Sequence, residues 1–305
     1  MKKQCCVVIP VYKPDFKFND CLQALKRQKD VDFDLYIIES GNWTTLYEKD
    51  IEGLSCKINH IDIRDFNHGT TRQYAAQKCA EYPIIIFLTQ DAIPANEYAF
   101  RNLIRCFKDK SVGCAYGRQL PQKYANFFSS RARNYNYPAQ SQKKTFANAG
   151  RLGIKAVFLS DSFAAYRNEA LISVGGFPKG IILGEDMYVA AKMLLAGWAN
   201  FYCAEAVVIH SHNYSFLQEF KRYFDIGVFH IQQPWILENF GKAEKEGIHL
   251  VLAEFKYLFL HRPHLIPNAI LRHGMQYFGY WLGRHEQYIP NRIKCCLSMN
   301  PNYWS

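Results

Sequence analysis

An acidic pair at the start of a helical pattern is the first place where this chain could do chemistry. Gly184-Glu185-Asp186 follows a turn-rich run and opens an amphipathic stretch, 187–198. A helix beginning there would place Asp186 at its N-terminus. The helix dipole at that end keeps a carboxylate ionised, so Asp186 could accept a proton.

A second carboxylate lies upstream, in Thr89-Gln90-Asp91, at the end of the apolar run 83–88. Such a run predicts a buried parallel strand. In open α/β sheets, ligands collect at the carboxyl ends of these strands. We therefore expect Asp91 to lie where a nucleotide would bind.

The elements that must position these residues alternate between strand and helix patterns. Beyond residue 216, apolar, aromatic and basic residues recur with a helical period, and a polar, Tyr- and Arg-rich section before residue 156 predicts a loop or mobile flap. This pattern predicts an α/β domain over 1–215 and a helical extension over 216–305. Strands are predicted at 5–11, 34–38, 58–63, 83–88, 112–116 and 206–209, and helices at 20–28, 70–80, 96–107, 216–232, 234–246, 248–260 and 267–282.

Composition indicates a globular protein with an uneven charge. Of the 305 residues, 49% are hydrophobic and 15% aromatic, which is enough for a sizeable core. The net charge is +10, and the segment 101–155 holds twelve Lys or Arg residues against one acid, Asp109. This segment is expected to face nucleic acid, an anionic membrane or a diphosphate, or to be a solvated basic surface without a partner.

Targeting and cysteine patterns predict a cytoplasmic protein. The chain has ten cysteines but no C-x-x-C spacing, which argues against zinc. Pro10 interrupts the first apolar run before it could act as a signal segment. No apolar stretch reaches the roughly 20 residues that cross a bilayer, so any membrane contact is expected to be peripheral, at the cytoplasmic face.

Seven short motifs occur in order along the first part of the chain. They are Val8-Ile9-Pro10-Val11-Tyr12-Lys13-Pro14, Ile38-Glu39-Ser40-Gly41-Asn42, Phe66-Asn67-His68-Gly69, Thr71-Arg72, Thr89-Gln90-Asp91-Ala92, Gly175-Gly176-Phe177 and Gly184-Glu185-Asp186. The dinucleotide fingerprint G-x-G-x-x-G is absent after the first strand, which argues against hydride transfer. Together the motifs resemble those of family 2 inverting glycosyltransferases with a GT-A fold, over about the first 215 residues. That resemblance implies a nucleotide-binding mixed sheet flanked by helices.

Within that family, some motifs look like those of bacterial rhamnosyltransferases of cell-surface polysaccharide assembly. They are Phe66-Asn67-His68-Gly69, Thr89-Gln90-Asp91-Ala92, Gly117-Arg118-Gln119 and Ser160-Asp161-Ser162. This resemblance implies dTDP-L-rhamnose as the donor. The acceptor would be a hydroxyl of a polyprenyl-diphosphate-linked, O-antigen-like glycan, and inversion would give an α-linked rhamnoside.

The resemblance also assigns donor-binding residues. Pro10, Tyr12 and Glu39 would hold the nucleobase and ribose, and Arg72 would reach the base or the phosphates. Thr89, Gln90 and Asp91 complete the nucleotide-sugar site. The plainer alternatives are that Pro10 ends a strand, that Tyr12 packs, and that Arg72 pairs on a helix surface.

Metal and catalytic roles follow from the same resemblance. Asp91 corresponds to the metal-binding aspartate of a D-x-D motif whose first Asp is Thr89 here, and it would hold Mg²⁺ or Mn²⁺. His212 is the favoured second ligand and His210 the alternative. Asp186 would be the catalytic base, with Glu185 as the supporting acid. The acceptor pocket is expected to include Asp161, Ser162 and Gly176.

Other functions and partners stay open at this point. The same fold could use a UDP-hexose, with galactose or N-acetylglucosamine as the sugar. A binding module without chemistry would use the basic segment 101–155. A sugar nucleotidyltransferase lacks support, because no Gly-rich loop follows the first strand. The helical extension could dock a lipid-linked acceptor at the membrane surface, pack as an ordinary appendage, or form a homodimer; no nucleic-acid partner is expected.

Overall fold

The structure, a computed structural model, describes residues 3–241 and 243–304. The chain divides into two compact units. The first comprises Met1–Asn148, Ala156–Lys179 and Glu185–Ser211, and the second comprises Ala149–Lys155, Gly180–Gly184 and His212–Ser305.

The first unit is built on a mixed sheet whose strands alternate with helices. The described strands are β1 (Cys5–Val11), β2 (Phe33–Ser40), β3 (Cys56–Ile61), β4 (Ile84–Leu88), β5 (Ile93–Pro94), β6 (Val112–Leu120), β7 (Gln142–Lys144), β8 (Phe163–Arg167) and β9 (Ala199–Ile209). The helices before residue 212 are α1 (Phe16–Lys26), α2 (His68–Lys78), α3 (Ala99–Arg105), α4 (Phe127–Asn136), α5 (Phe146–Leu152), α6 (Asn168–Ser173) and α7 (Glu185–Leu195), and the residues of α5 from Ala149 onward belong to the second unit.

The strand order is β3-β2-β1-β4-β8-β6-β9-β5, and β7 also pairs with β9. Neighbours among β3, β2, β1 and β4 run parallel, as do β6 and β9. Strand β8 is antiparallel to both β4 and β6. The carboxyl ends of β1, β2, β4, β6 and β9 therefore meet at one edge of the sheet, together with the amino end of β8.

Both faces of the sheet are covered, as expected for strands with continuous apolar runs. In β1, Val7 and Ile9 belong to one buried layer and Cys6 and Val8 to the other, because side chains alternate across a strand. All of these side chains are essentially inaccessible to solvent.

The strands and helices predicted for this unit are confirmed, with shifts at their ends. The first helix begins earlier than predicted, at Phe16, because Asp15 caps it by accepting a hydrogen bond from the Lys17 amide at 3.0 Å. The prediction of a loop or mobile flap before residue 156 is wrong. That section contains α4, β7 and α5, and Asn126 caps α4 by accepting from the Ser129 amide at 2.8 Å.

The second unit is helical. It includes α8 (Phe216–Gln232), α9 (Pro234–Phe240), α10 (Ala243–His261), α11 (Ile266–Arg284) and α12 (Asn291–Leu297). The two helices predicted at 234–246 and 248–260 are divided differently, because Gly241, at φ 88°, ends α9 and α10 starts two residues later. The domain boundary at residue 215 stays a prediction.

Helices α8 and α11 pack with their backbones close together. A Cβ placed on Gly283 would lie 2.0 Å from the Phe224 carbonyl oxygen, and one on Gly279 would lie 2.3 Å from that of Phe220. Gly227 of α8 makes the reciprocal approach to the Tyr280 carbonyl, at 2.4 Å. Glycine is therefore required at these three positions. Among the described helices, none is both long and apolar enough to cross a membrane.

Candidate active site

The shared edge of the sheet collects the predicted site residues. Tyr12 follows β1, Asp91 follows β4, and His210 follows β9. Asp161 precedes β8, and the Thr89 amide donates to the Ser162 carbonyl at 3.2 Å, which joins the ends of β4 and β8. The topology thus brings residues from distant parts of the first unit to one place.

Gln90 fastens the loop after β1 to the loop after β4. Its Oε1 accepts from the Tyr12 amide at 2.8 Å and its Nε2 donates to the Tyr12 carbonyl at 3.0 Å. The Tyr12 side chain is 42% exposed, and its ring meets that of Trp43 edge to face, with centroids 6.3 Å apart. The two rings offer an aromatic surface of the kind on which a nucleobase can stack. Trp43 was not among the predicted site residues.

Glu39 is fully buried, and its carboxylate accepts hydrogen bonds from other residues of the first unit. Its carboxylate accepts from the Trp43 amide at 2.8 Å and from the Tyr47 hydroxyl, and His60 Nδ1 lies 3.1 Å away. Glu39 thereby fixes the loop that carries Trp43. Its direct contact with nucleobase or ribose stays a prediction, as does that of Pro10, which lies half-buried within β1.

A cluster of possible metal ligands follows β4 and β9. Oδ1 of Asp91 lies 3.4 Å from Nε2 of His210, and one ligand atom from each of Asp91, His210 and His212 falls within 4.8 Å of the others. Nearby in the chain, the Thr89 hydroxyl is buried without a hydrogen-bond partner in the structure. A buried polar group is normally satisfied, so this hydroxyl is suited to a bound ligand.

These residues fit a divalent cation. Oxygen ligands of a first-row divalent ion lie about 2.1 Å from it, so two ligands on adjacent positions are roughly 3 Å apart. The separation of 3.4 Å between Asp91 and His210 is close to this value. Both histidines are therefore candidates; the structure does not single out His212, whose ring stacks on that of Tyr214 with centroids 5.3 Å apart.

A second cluster surrounds the buried guanidinium of Arg72 on α2. Its Nη1 donates to Oε1 of Glu185 at 2.5 Å, and its Nε lies 2.8 Å from Oδ2 of Asp161. The Tyr166 hydroxyl donates to the other oxygen of Asp161 at 2.6 Å. The structure thus places Arg72 with the predicted catalytic acids. Its contact with the base or phosphates stays a prediction.

Asp186 lies beside this cluster at the start of α7. Its Oδ2 accepts from the Asp161 amide at 3.3 Å and its Oδ1 from the Met187 amide at 2.7 Å. Burial and the neighbouring Glu185 raise the pKa of Asp186 to about 6. The helix start was expected to favour the ionised form; here burial is the larger effect. A carboxylate with this pKa is largely ionised at neutral pH and is a stronger base than an ordinary aspartate.

The other two acids respond differently to Arg72. Burial by itself would raise the pKa of Glu185, but the Arg72 guanidinium, assisted by His68, holds it below the usual value. For Asp161, burial outweighs the attraction of Arg72, and the charges of Asp186 and Glu185 add to it, raising its pKa to about 8. The three acids therefore do not all carry a negative charge at neutral pH.

Comparison with known proteins identifies the family. A family model described as "Glycosyltransferase like family 2" matches residues 3–224. The chain belongs to glycosyltransferase family 2. The chain is 44% identical over 301 residues to the O-antigen chain rhamnosyltransferase RfbN of Salmonella typhimurium, covering 98% of this chain and 95% of that protein. It is 41% identical over 300 residues to WbaN of Salmonella anatum, an O-antigen chain rhamnosyltransferase, with the same coverage.

Solved structures show the same GT-A fold. The mannosyltransferase PcManGT from Pyrobaculum calidifontis, in complex with GDP-Man and Mn²⁺, aligns with a TM-score of 0.63 at 14% identity, over 94% of this chain and 88% of that one. S. aureus TarS 1-349 in complex with UDP-GlcNAc aligns with a TM-score of 0.57 at 16% identity, over 97% and 84% of the two chains.

Of the glycosyltransferase's other predicted acceptor residues, Ser162 directly follows Asp161 and Gly176 packs against α2. Ser162 is half-buried and uses its carbonyl to accept from Thr89. Gly176, at φ 75°, is buried against α2, where a Cβ would lie 2.1 Å from Oε1 of Gln73. Its close approach is thus to a helix of the first unit. Acceptor contacts of Asp161, Ser162 and Gly176 stay predictions.

The basic segment 101–155 of the glycosyltransferase does not form one uniform charged face. Lys144 is buried and donates to the Tyr116 hydroxyl at 2.8 Å, and Arg101 and Lys143 form ion pairs with Asp30 and Asp109, each at 2.6 Å. Arg133, from α4, reaches the amide of Gln119. These four of the twelve basic side chains are therefore bonded within the fold, which weakens the support for a binding module without chemistry.

Proposed function

We propose that this glycosyltransferase transfers L-rhamnose from dTDP-L-rhamnose to a hydroxyl of a lipid-linked, O-antigen-like glycan. The proposal is supported by the 44% identity to an O-antigen chain rhamnosyltransferase, which extends over nearly the whole of both chains. The motifs Phe66-Asn67-His68-Gly69 and Ser160-Asp161-Ser162 lead to the same donor.

The observation that carries the chemistry is the position of Asp186 at the same edge of the sheet as Asp91. Asp186 accepts from the Asp161 amide, and Ser162, the next residue, bonds to Thr89, two positions before Asp91. A base and a site for the leaving diphosphate are thus near one another. Single displacement at an anomeric carbon needs this arrangement, with the two groups on opposite faces of the sugar.

In the proposed reaction, Asp186 takes the proton of the acceptor hydroxyl as its oxygen attacks the anomeric carbon. The bond between that carbon and the diphosphate oxygen breaks, and dTDP leaves with the electron pair. The new glycosidic bond has the inverted configuration. Glu185 is held in place by Arg72. Its negative charge raises the proton affinity of Asp186, so Glu185 assists the base without touching the substrate.

Asp91 and His210, with His212, would hold a divalent cation beside the diphosphate. Such a cation offsets the negative charge that develops on the leaving dTDP. We propose Mn²⁺ over Mg²⁺, because the donor set includes imidazole nitrogen, whereas Mg²⁺ prefers oxygen ligands alone. The Tyr12 and Trp43 rings would bind the base.

Donor identity can be tested by thermal shift and turnover. We expect dTDP with Mn²⁺ to raise the melting temperature more than UDP with Mn²⁺, since binding to the folded state stabilises it. dTDP-L-rhamnose should then be consumed with a lipid-linked acceptor, and Asp186→Asn should abolish turnover while retaining the dTDP-dependent shift. Stabilisation by UDP alone would instead support a UDP-hexose donor.

The acceptor is expected to arrive at a membrane surface bound by the second unit. On α10 and α11 of this unit, large apolar side chains are exposed, among them Phe259 at 75% and Tyr277 at 71%, with Leu252, Leu260 and Trp281. Exposed Lys256 lies among those on α10. Aromatic and aliphatic side chains beside a basic group suit the headgroup region of an anionic bilayer.

Vesicle sedimentation tests this peripheral contact. The protein should sediment with vesicles containing phosphatidylglycerol, and the double substitution Phe259→Ser, Leu260→Ser should weaken binding. Leu46→Ser, which removes an exposed leucine from the first unit, is the matched control. Absence of vesicle binding, combined with a concentration-dependent dimer that the double substitution dissociates, would assign this surface to a homodimer instead.

A further inference from the structure

A buried amide connects α4 to the candidate metal ligands. Gln119, near the end of β6, is 1% exposed and bonds to three side chains. Its Oε1 accepts from Nη1 of Arg133 at 2.6 Å and lies 2.9 Å from Nδ1 of His210, and its Nε2 donates to Oγ of Ser160 at 2.9 Å.

We infer that Gln119, oriented by Arg133, sets the tautomer of His210 and so directs the lone pair of Nε2 toward a divalent cation held with Asp91. Gln119 and Arg133 are positioning residues in this inference. It deepens the metal-assisted transfer proposed above and rests on it.

Arg133 decides which way round the amide lies. The two ends of a glutamine amide are alike in shape, so the hydrogen-bond partners must distinguish them. A guanidinium can only donate. The amide atom that faces Arg133 at 2.6 Å must therefore be the oxygen. The NH₂ group is then left facing the Ser160 hydroxyl, which can accept.

The orientation of the amide in turn decides the tautomer of the imidazole. Oε1 of Gln119 has no proton to give, so Nδ1 of His210, 2.9 Å away, must carry one. In the neutral ring the other nitrogen, Nε2, then carries the lone pair. This is the nitrogen that lies 3.4 Å from Oδ1 of Asp91. A neutral imidazole nitrogen beside a carboxylate oxygen is a donor pair for a divalent ion.

The backbone holds Gln119 and His210 next to each other; the contacts from Arg133 through Gln119 to His210 are called the relay below. The pairing of β6 with β9 shifts between Gly117 and Arg118, and after the shift Gln119 is opposite Val208, two residues before His210. A Cβ on Gly117 would lie 2.3 Å from the Phe163 ring and 2.5 Å from the Ala206 carbonyl, so glycine is required at this irregularity. The His210 amide also donates to the Leu120 carbonyl at 2.9 Å. His210 is thus held through its backbone amide by Leu120 and through its ring nitrogen Nδ1 by Gln119.

The relay keeps the proton on Nδ1 of His210, whereas a free neutral histidine in water favours the proton on Nε2. Without Gln119, the proton would often occupy the nitrogen that faces Asp91, and ligation would require its removal. Loss of such a supporting partner commonly weakens metal affinity by roughly 10-fold to 100-fold.

The first test reads the tautomer of the neutral imidazole directly, at alkaline pH and without metal or substrate. Long-range ¹H–¹⁵N NMR correlation spectra of the full chain, with His210 assigned through His210→Gln, should show a protonated Nδ1 and an unprotonated Nε2. Gln119→Met should abolish this pattern, and Gln119→Glu, which still accepts from Nδ1, should retain it. Arg133→Met should shift the population toward protonated Nε2, and Arg133→Lys should partly restore the original state.

The second test measures the ion. We expect EPR titration with Mn²⁺, alone and with dTDP, to show affinity reduced roughly 10-fold to 100-fold in Gln119→Met and close to wild type in Gln119→Glu. Pulsed EPR of the bound ion should show coupling to an imidazole nitrogen that His210→Gln removes. Gln23→Met, the same substitution at an exposed position of α1, should change neither measurement.

A wild-type spectrum with the proton on Nε2 would overturn the inference, as would unchanged Mn²⁺ affinity in a folded Gln119→Met protein. If Gln119→Met does not fold, the His210 tautomer measured by NMR in the wild type and in Arg133→Met tests the inference. Neither readout depends on sugar transfer. Failure of rhamnose turnover with the expected tautomer would therefore reject the donor alone, and turnover with the wrong tautomer would reject the relay alone.

Discussion

Nη1 of Arg72 lies 2.5 Å from Oε1 of Glu185, a residue 113 positions away in the sequence. This ion pair joins α2 to the first turn of α7, in which the proposed base, Asp186, is the second residue. Both side chains are nearly inaccessible to solvent, at 6% and 7%. The pair therefore interacts in a poorly screened environment and orients the acids of the proposed active site.

Removal of the guanidinium should damage both stability and catalysis. Arg72→Met leaves two buried carboxyl groups without their cation, and breaking a buried pair in this way typically costs about 3–5 kcal/mol. We expect a lower midpoint in urea unfolding and a large loss of turnover. Arg72→Lys should recover part of each. Equal stability of Arg72→Met and wild type would show that the pair contributes nothing to the fold.

The pH dependence of kcat/KM should reveal the base. Burial and the charge of Glu185 raise the pKa of Asp186 to about 6, so activity should fall as pH decreases through that value and the base is protonated. Glu185→Gln removes one of the two causes. The acid limb should then move to lower pH, and the maximum should also decrease because Arg72 loses its partner.

The direction of that shift is the decisive result. Movement of the acid limb to higher pH in Glu185→Gln would contradict the proposed coupling between the two acids. Asp186→Asn should leave no pH-dependent turnover to measure. Its far-UV circular dichroism should match wild type, since the amide has the shape of the carboxyl group and its oxygen can keep the shorter bond, from the Met187 backbone N–H.

Transfer should require a divalent cation, and substitution of Asp91 should weaken binding of that cation. Chelation with EDTA should abolish transfer, and added Mn²⁺ should restore it. In Asp91→Asn we expect turnover to fall roughly 10²-fold or more, because stabilisation of the leaving group by a metal amounts to several kcal/mol. Direct EPR titration should show weakened Mn²⁺ binding. Full activity in EDTA would contradict the assignment.

The glycines of α11 give a matched pair for a stability test. Gly283→Ala would bring a methyl group against the Phe224 carbonyl and should destabilise the helical unit by about 1–3 kcal/mol. Gly274→Ala, in the same helix, meets nothing within 4 Å and should be neutral or slightly stabilising, since alanine favours helix. Thermal unfolding followed by circular dichroism compares the two. The same loss in both variants would indicate that close packing is not the cause.

Trp43 should matter to donor binding more than to chemistry. We expect Trp43→Ala to raise the Kd for dTDP and the KM for the donor, because an exposed aromatic surface is lost, while kcat changes little. Quenching of tryptophan fluorescence by dTDP should decrease in the same variant. A reduced kcat with unchanged Kd would place Trp43 elsewhere in the reaction.

The centre of the sheet was predictable because β1 and β4 are apolar on both faces. The run 83–88 predicted β4, and the acid that follows it had to lie at the carboxyl edge. The position of Asp186 was predicted from another local pattern, an acid at the start of an amphipathic helix, and α7 begins there. Local pattern was sufficient at these positions.

Partners across the fold were not predictable from local pattern. Glu39 was expected to face the nucleotide, but Tyr47 and His60, from other segments, surround its carboxylate. Arg133 gave no signal at all, because α4 buries no residue completely and its polar sequence was interpreted as a loop. Trp43 could have been found, since an aromatic residue directly follows the motif Ile38-Glu39-Ser40-Gly41-Asn42.

Helix α4 buries no residue completely, yet its Arg133 donates to the amide oxygen of Gln119, which contacts His210. An insertion or a bound molecule that displaces α4 would therefore change the orientation and tautomer of the His210 imidazole without contacting it. Engineering of the segment 121–141, as in loop grafting or tag insertion, should consequently be judged by manganese retention as well as by solubility.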